Sequence, residues 1–75
     1  MRIASMVVNA RPGFVPLLRD TLTALPGVEI VESKGDALAV LLEADTPRAQ
    51  HQMHERINDL DEVESVALVF QSNEV

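Results

Sequence analysis

The five residues Leu25-Pro26-Gly27-Val28-Glu29 return in looser form as Leu60-Asp61-Glu62-Val63-Glu64, 35 positions later. In each copy a leucine closes a helically spaced apolar series, a short corner turns the chain, and a valine opens a run rich in strand formers. A chain of 75 residues that twice turns from helix into strand has few architectures open to it.

The segments between the corners fill in the plan. Residues Ile3 to Val8 are a dense apolar run with β-branched members, which predicts a buried strand ended by "NARPG". Phe14, Leu17, Leu18, Leu22 and Leu25 then follow helical spacing, with Pro16 in the first turn, where its missing N–H costs little. Val28 to Lys34 reads as a second strand, "KGD" as a tight turn, and Ala37 to Ala44 as a third strand. Thr46 before Pro47 is a helix start, an N-cap hydroxyl followed by proline at the first helical position. Ala49, Met53, Ile57 and Leu60 mark the apolar face of that second helix. Val63 to Gln71 is the last strand, the expected order spans about residues 3–71, and residues 72–75 read as a frayed tail.

The order is βαββαβ, two strand–helix–strand halves with equivalent corners. That is a single α+β domain over residues 1–75, ferredoxin-like, with a four-stranded antiparallel sheet in the order 4-1-3-2. The first and third strands are central, and both helices cover one face.

The other face is then left to solvent or to a partner. Alternation directs Met6, Val8, Val66 and Leu68 toward the helices. It leaves Ser5, Val7, Asn9, Ala67, Val69 and Gln71 on the open face, joined by Ala39 and Leu41 from the third strand. Small residues there would let a partner's backbone approach closely. A homodimer seam is the other occupant such a face admits.

Composition narrows the partner. Hydrophobic residues are 47% of the chain, and there is no cysteine, so an aliphatic core has to hold the fold without disulfides. Twelve acidic against six basic residues give a net charge of −6, which opposes binding to nucleic acid or to anionic lipid and favours a cationic peptide or protein. No segment has the apolar length of a signal peptide or a membrane span, so the chain reads as cytoplasmic, without membrane insertion. The carboxylates fall in two groups. Asp59, Asp61, Glu62 and Glu64 lie at the second corner, and Glu29, Glu32, Asp36, Glu43 and Asp45 surround the hairpin; either group could flank an arginine-bearing partner.

Catalytic chemistry finds no foothold. His51, His54 and Glu55 have metal-like spacing on a helix, but the apolar series places them opposite Ala49, Met53 and Ile57, on a solvated face. The serines lie in no strained elbow, and there is no phosphate loop or dinucleotide fingerprint. The expectation is a non-enzyme with no catalytic residue, no metal and no cofactor.

Two resemblances bear on function. The corner "NARPGF", Asn9 to Phe14, resembles the "RPG" corner of ACT domains, which implies a small-molecule-binding regulatory domain acting as a dimer. Over a much longer span, about Ile3 to Gln71, "IASMVVNARP", "LTALPGVEIVES", "ALAVLLEAD" and "INDLDEVESVALVF" are similar, in that order, to the NapD family, cytoplasmic chaperones for the catalytic subunit of periplasmic nitrate reductase. One departure is Asp61-Glu62-Val63, where that family usually repeats "PGV". The resemblance implies binding of the twin-arginine signal peptide of the nitrate reductase precursor, delaying export until the molybdenum cofactor is installed. It implies a contact surface of Ser5, Val7, Asn9, Ala39, Leu41, Ala67, Val69 and Gln71, with Glu43 as an arginine partner and the protein a monomer or weak homodimer. A purely structural oligomerisation module is the third reading.

Overall fold

Side chains that alternate along a pleated strand must choose between two faces, and the first strand chooses cleanly. In the computed structural model, which describes residues 2–72 and the side chains of residues 2–69, β1 spans Arg2–Ala10. Its Ala4, Met6, Val8 and Ala10 are buried, and Ser5, Val7 and Asn9 between them are half-buried. α1 (Val15–Ala24), β2 (Val28–Lys34), β3 (Ala37–Ala44), α2 (Pro47–Asn58) and β4 (Val63–Ser72) follow. The four strands form one antiparallel sheet in the order β2-β3-β1-β4, the expected order read from its other edge. The frayed tail expected at residues 72–75 lies, apart from the backbone of Ser72, outside the described residues.

One face of the sheet carries the core. Leu18, Leu22 and Leu25 from the first helical segment and Ile57 from α2 pack in a single cluster with Ala4, Met6, Val8, Leu38, Val40 and Leu42. Those strand residues all belong to the same alternating set, so both helices cover the same side. The start of α2 is capped as its sequence predicts: Thr46 Oγ1 accepts from the Ala49 backbone N–H at 3.0 Å, and Pro47 occupies the first helical position. α1 has Phe14 at its N-cap position and no side-chain cap bond.

Helical spacing overstated two core members. Phe14 and Leu17 are 42% and 53% exposed, whereas Leu18 and Leu22 are sealed. The helix is only ten residues long, and the sheet receives a stripe narrower than its apolar content. On α2 the reverse holds, because the polar Gln50 is buried beside the core and receives a hydrogen bond from Arg2 Nε at 3.4 Å.

The two helix-to-strand corners differ in how they turn. Gly27 adopts φ +78°, its carbonyl accepts from the Glu43 backbone N–H at 2.8 Å, and a Cβ built on it would lie 2.5 Å from the Glu43 carbonyl oxygen. Glycine is the residue that meets both demands. The second corner contains no positive φ, and it closes through the Val63 N–H on the Leu60 carbonyl at 3.1 Å. Glu62 can therefore replace glycine there, and it has its own use. Its side chain is buried and takes a 2.8 Å hydrogen bond from Thr21 Oγ1 on α1, and its carbonyl accepts from the Arg11 N–H.

Candidate functional site on the open face of the sheet

Backbone register, more than composition, decides which side chains share the uncovered face. Three rows run across it from the β2 edge: Lys34, Ala37, Asn9 and Ser65; then Glu32, Ala39, Val7 and Ala67; then Glu29, Leu41 and Ser5. Glu43 continues the face beside Ile3. Ser5, Val7, Asn9, Ala39 and Leu41 are half-buried and Ala67 is exposed, so the face is shallow, small-residued and, among the described residues, uncovered by any helix. Asn9 Nδ2 donates to Ser65 Oγ at 3.2 Å, which fixes one end of the face across β1 and β4.

Simple alternation fails on β4. A register shift between Ser5 and Met6 pairs Met6 with Leu68 and Ser5 with Phe70, leaving Val69 as the inserted residue. Val69 is 64% exposed. The same shift sets Gln71 opposite Ala4, a register position of the helix-covered set, in place of the open-face position that alternation assigned; its side chain lies outside the described residues. Leu68 shares the buried Met6 register, yet it is 49% exposed because α2 leaves the β4 edge partly open. A second bulge releases Val31 on β2 and brings Glu29 and Glu32 together on the open face.

The charge on this face is one-sided. Glu29, Glu32 and Glu43 line its β2–β3 side and are exposed, with Lys34 at the far end of β2. Two shallow hollows, of about 180 and 220 Å³, meet at Gly27 and Glu43; Val28, Glu29 and Leu41 complete the first, and Pro26, Ala44 and Asp45 the second. A third depression of about 180 Å³ lies between Val7, Ala37 and Ala39 and the side chains of Glu32 and Lys34. Strand alternation alone points Glu29 outward, but the bulge that aligns Glu32 with it has no signal in the sequence.

The other candidate groups behave differently. Arg11 Nε donates to the Asp61 carbonyl at 2.9 Å and its backbone N–H to the Glu62 carbonyl at 2.9 Å. The Phe14 N–H closes the Pro-Gly turn on the Arg11 carbonyl at 2.9 Å. "NARPGF" is thus a clamp between the two halves of the chain. His51 and Glu55 face solvent, 71% and 66% exposed, and approach to 3.5 Å. His54 is half-buried, contrary to the outward face expected for it. The α2 face that packs on the sheet includes Gln50, which turns His54 toward a cleft of about 190 Å³ floored by Ala4, Met6 and Leu68. Among the described residues no group of three His, Asp or Glu side chains comes together to hold a metal ion.

The family model of the NapD protein matches the chain over residues 1–75. The chain belongs to the NapD family. Among solved structures it is similar to the solution structure of the E. coli Tat proofreading chaperone protein NapD, with a TM-score of 0.85 and 28% sequence identity over 96% of this chain and 78% of that one. No curated protein sequence matches it significantly. Membership in the NapD family decides against the ACT-like alternative, and the commitment of Arg11 and its neighbouring N–H groups to the second corner agrees with that. No helix among the described residues is long and apolar enough to cross a membrane.

Proposed function

We propose that this NapD-family chain is a chaperone that binds the twin-arginine signal peptide of the nitrate reductase catalytic-subunit precursor on the open face of its sheet. By covering the peptide in the cytoplasm it delays export until the molybdenum cofactor is in place. The observation that carries this reading is the uncovered, small-residued face built from Ser5, Val7, Asn9, Ala39 and Leu41, bordered on one side by Glu29, Glu32 and Glu43. An export signal joins a cationic segment to an apolar one, and this face offers carboxylates beside apolar area. Apolar contact contributes about 25 cal/mol per Å² removed from water, while the carboxylates orient the peptide and speed its encounter. The E. coli relative, a Tat proofreading chaperone, supports the same reading. No chemical step is required of the protein, which acts by occupancy.

Calorimetric titration with a synthetic twin-arginine signal peptide tests the proposal. Wild-type protein should bind, and Ala39→Arg, which puts bulk and positive charge in the middle of the face, should weaken binding by about tenfold or more. Gln52→Arg, on the exposed side of α2, should leave it unchanged. Equal effects of the two substitutions would place the peptide elsewhere, and a wild-type face already sealed in a stable dimer would favour a structural module.

A further inference from the structure

We infer that the paired hollows at the β2–β3 corner are the seat of the two arginines, one to each side of Glu43, and that they set the direction in which the signal peptide lies. This rests on the proposed peptide-binding function and names the part of the face that reads the arginine pair.

An arginine side chain asks for two things, an apolar wall for its methylene stem and an acceptor for its planar head. Each hollow offers both. In the first, Leu41 stands beside Glu29 and Glu43; in the second, Pro26 and Ala44 stand beside Glu43 and Asp45. The hollows share Gly27 and Glu43, so they adjoin each other at that corner, as the seats of two neighbouring arginines must. Glu29, Glu43 and Asp45 are exposed, and no ion pair among the described residues engages them. The backbone of Glu43 is held in place, because its N–H is tied to the Gly27 carbonyl at 2.8 Å.

Direction follows from asymmetry. Lys34 stands at the opposite end of β2, where an arginine pair would meet like charge. With the arginines at the Gly27 corner, the apolar segment that follows them runs over Leu41, Ala39, Val7 and Ala67 toward β4. A guanidinium fork can bridge two carboxylates, whereas an ammonium is a point charge, so the site should also prefer arginine over lysine.

The test compares three synthetic signal peptides, carrying Arg-Arg, Lys-Lys or Gln-Gln at the pair, against wild type and the triple variant E29Q/E43Q/D45N. For the wild type the order should be Arg-Arg, then Lys-Lys, then Gln-Gln, with the ends about tenfold or more apart. In the triple variant the three affinities should converge on the Gln-Gln value, while D20N/D59N, which neutralises exposed carboxylates elsewhere, should keep the wild-type spread. A triple variant that keeps the spread overturns the inference while leaving the peptide-binding function standing. Failure of every peptide to bind wild type removes that function and the inference with it. A nitroxide on the residue before the arginine pair gives an independent readout of direction. It should broaden the amide signals of Gly27, Glu29 and Glu43, and broadening centred on Ser65 to Ala67 with binding intact would reverse the orientation and refute the proposal.

Discussion

Gly27→Ala puts the fold's most confined position under load. Alanine at φ +78° costs about 1–2 kcal/mol from the left-handed backbone alone. Its Cβ would also lie 2.5 Å from the Glu43 carbonyl oxygen, a backbone atom that cannot swing away, so the corner has to open. Opening it disturbs the hydrogen bond from the Glu43 N–H to the Gly27 carbonyl, a further loss of about 0.5–1.5 kcal/mol. The expected destabilisation is about 2–4 kcal/mol, against a total of roughly 4–11 kcal/mol for a domain of this length. Gly35→Ala is the internal control, because Gly35 has φ +59° but nothing within 4 Å of its would-be Cβ. It should lose about 1 kcal/mol, since alanine recovers part of the backbone cost by restricting the unfolded chain. Urea unfolding of the two variants, followed by circular dichroism, measures the difference. Equal losses would refute the close approach of the Gly27 corner to β3, and with it the shape of the hollows it walls.

Other substitutions probe separate parts of the account. Thr21→Val takes from the buried Glu62 carboxylate a hydrogen-bond donor 2.8 Å away and should cost about 1–3 kcal/mol in the same assay; a neutral result would mean that Glu62 is solvated. Leu22→Ala should cost about 2–5 kcal/mol and Leu17→Ala under about 1 kcal/mol, although both fit the same helical series, and comparable losses would contradict the observed orientation of α1. Thr46→Ala should cost about 1 kcal/mol through loss of the bond to the Ala49 N–H, with the peptide affinity unchanged.

The sequence was most readable where local chemistry acts alone. Thr46-Pro47 starts α2, Pro26-Gly27 ends the first helical segment, and Lys34-Gly35-Asp36 separates β2 from β3, because caps, prolines and left-handed glycines determine their own backbone. The open face followed wherever a strand kept strict alternation, as Ser5, Val7, Asn9, Ala39 and Leu41 do. It slipped where a bulge inserted a residue. Neither Val31 nor Val69 carries a glycine or proline signal, so the alignment of Glu32 with Glu29 and the register position of Gln71 are settled only by pairing with the neighbouring strand. The burial of Gln50 and Glu62 was hidden for a related reason. Each is polar, and its place inside depends on a distant partner, Arg2 for one and Thr21 for the other.

Amide chemical-shift mapping during titration with the twin-arginine peptide asks most directly which side of the sheet receives it. The largest shifts should fall on Ser5, Val7, Ala39, Leu41 and Ala67, extending to Glu29 and Glu43. Shifts gathered instead on α1 and α2, or around the His54 and Leu68 cleft, would show that the covered side does the binding and would contradict it.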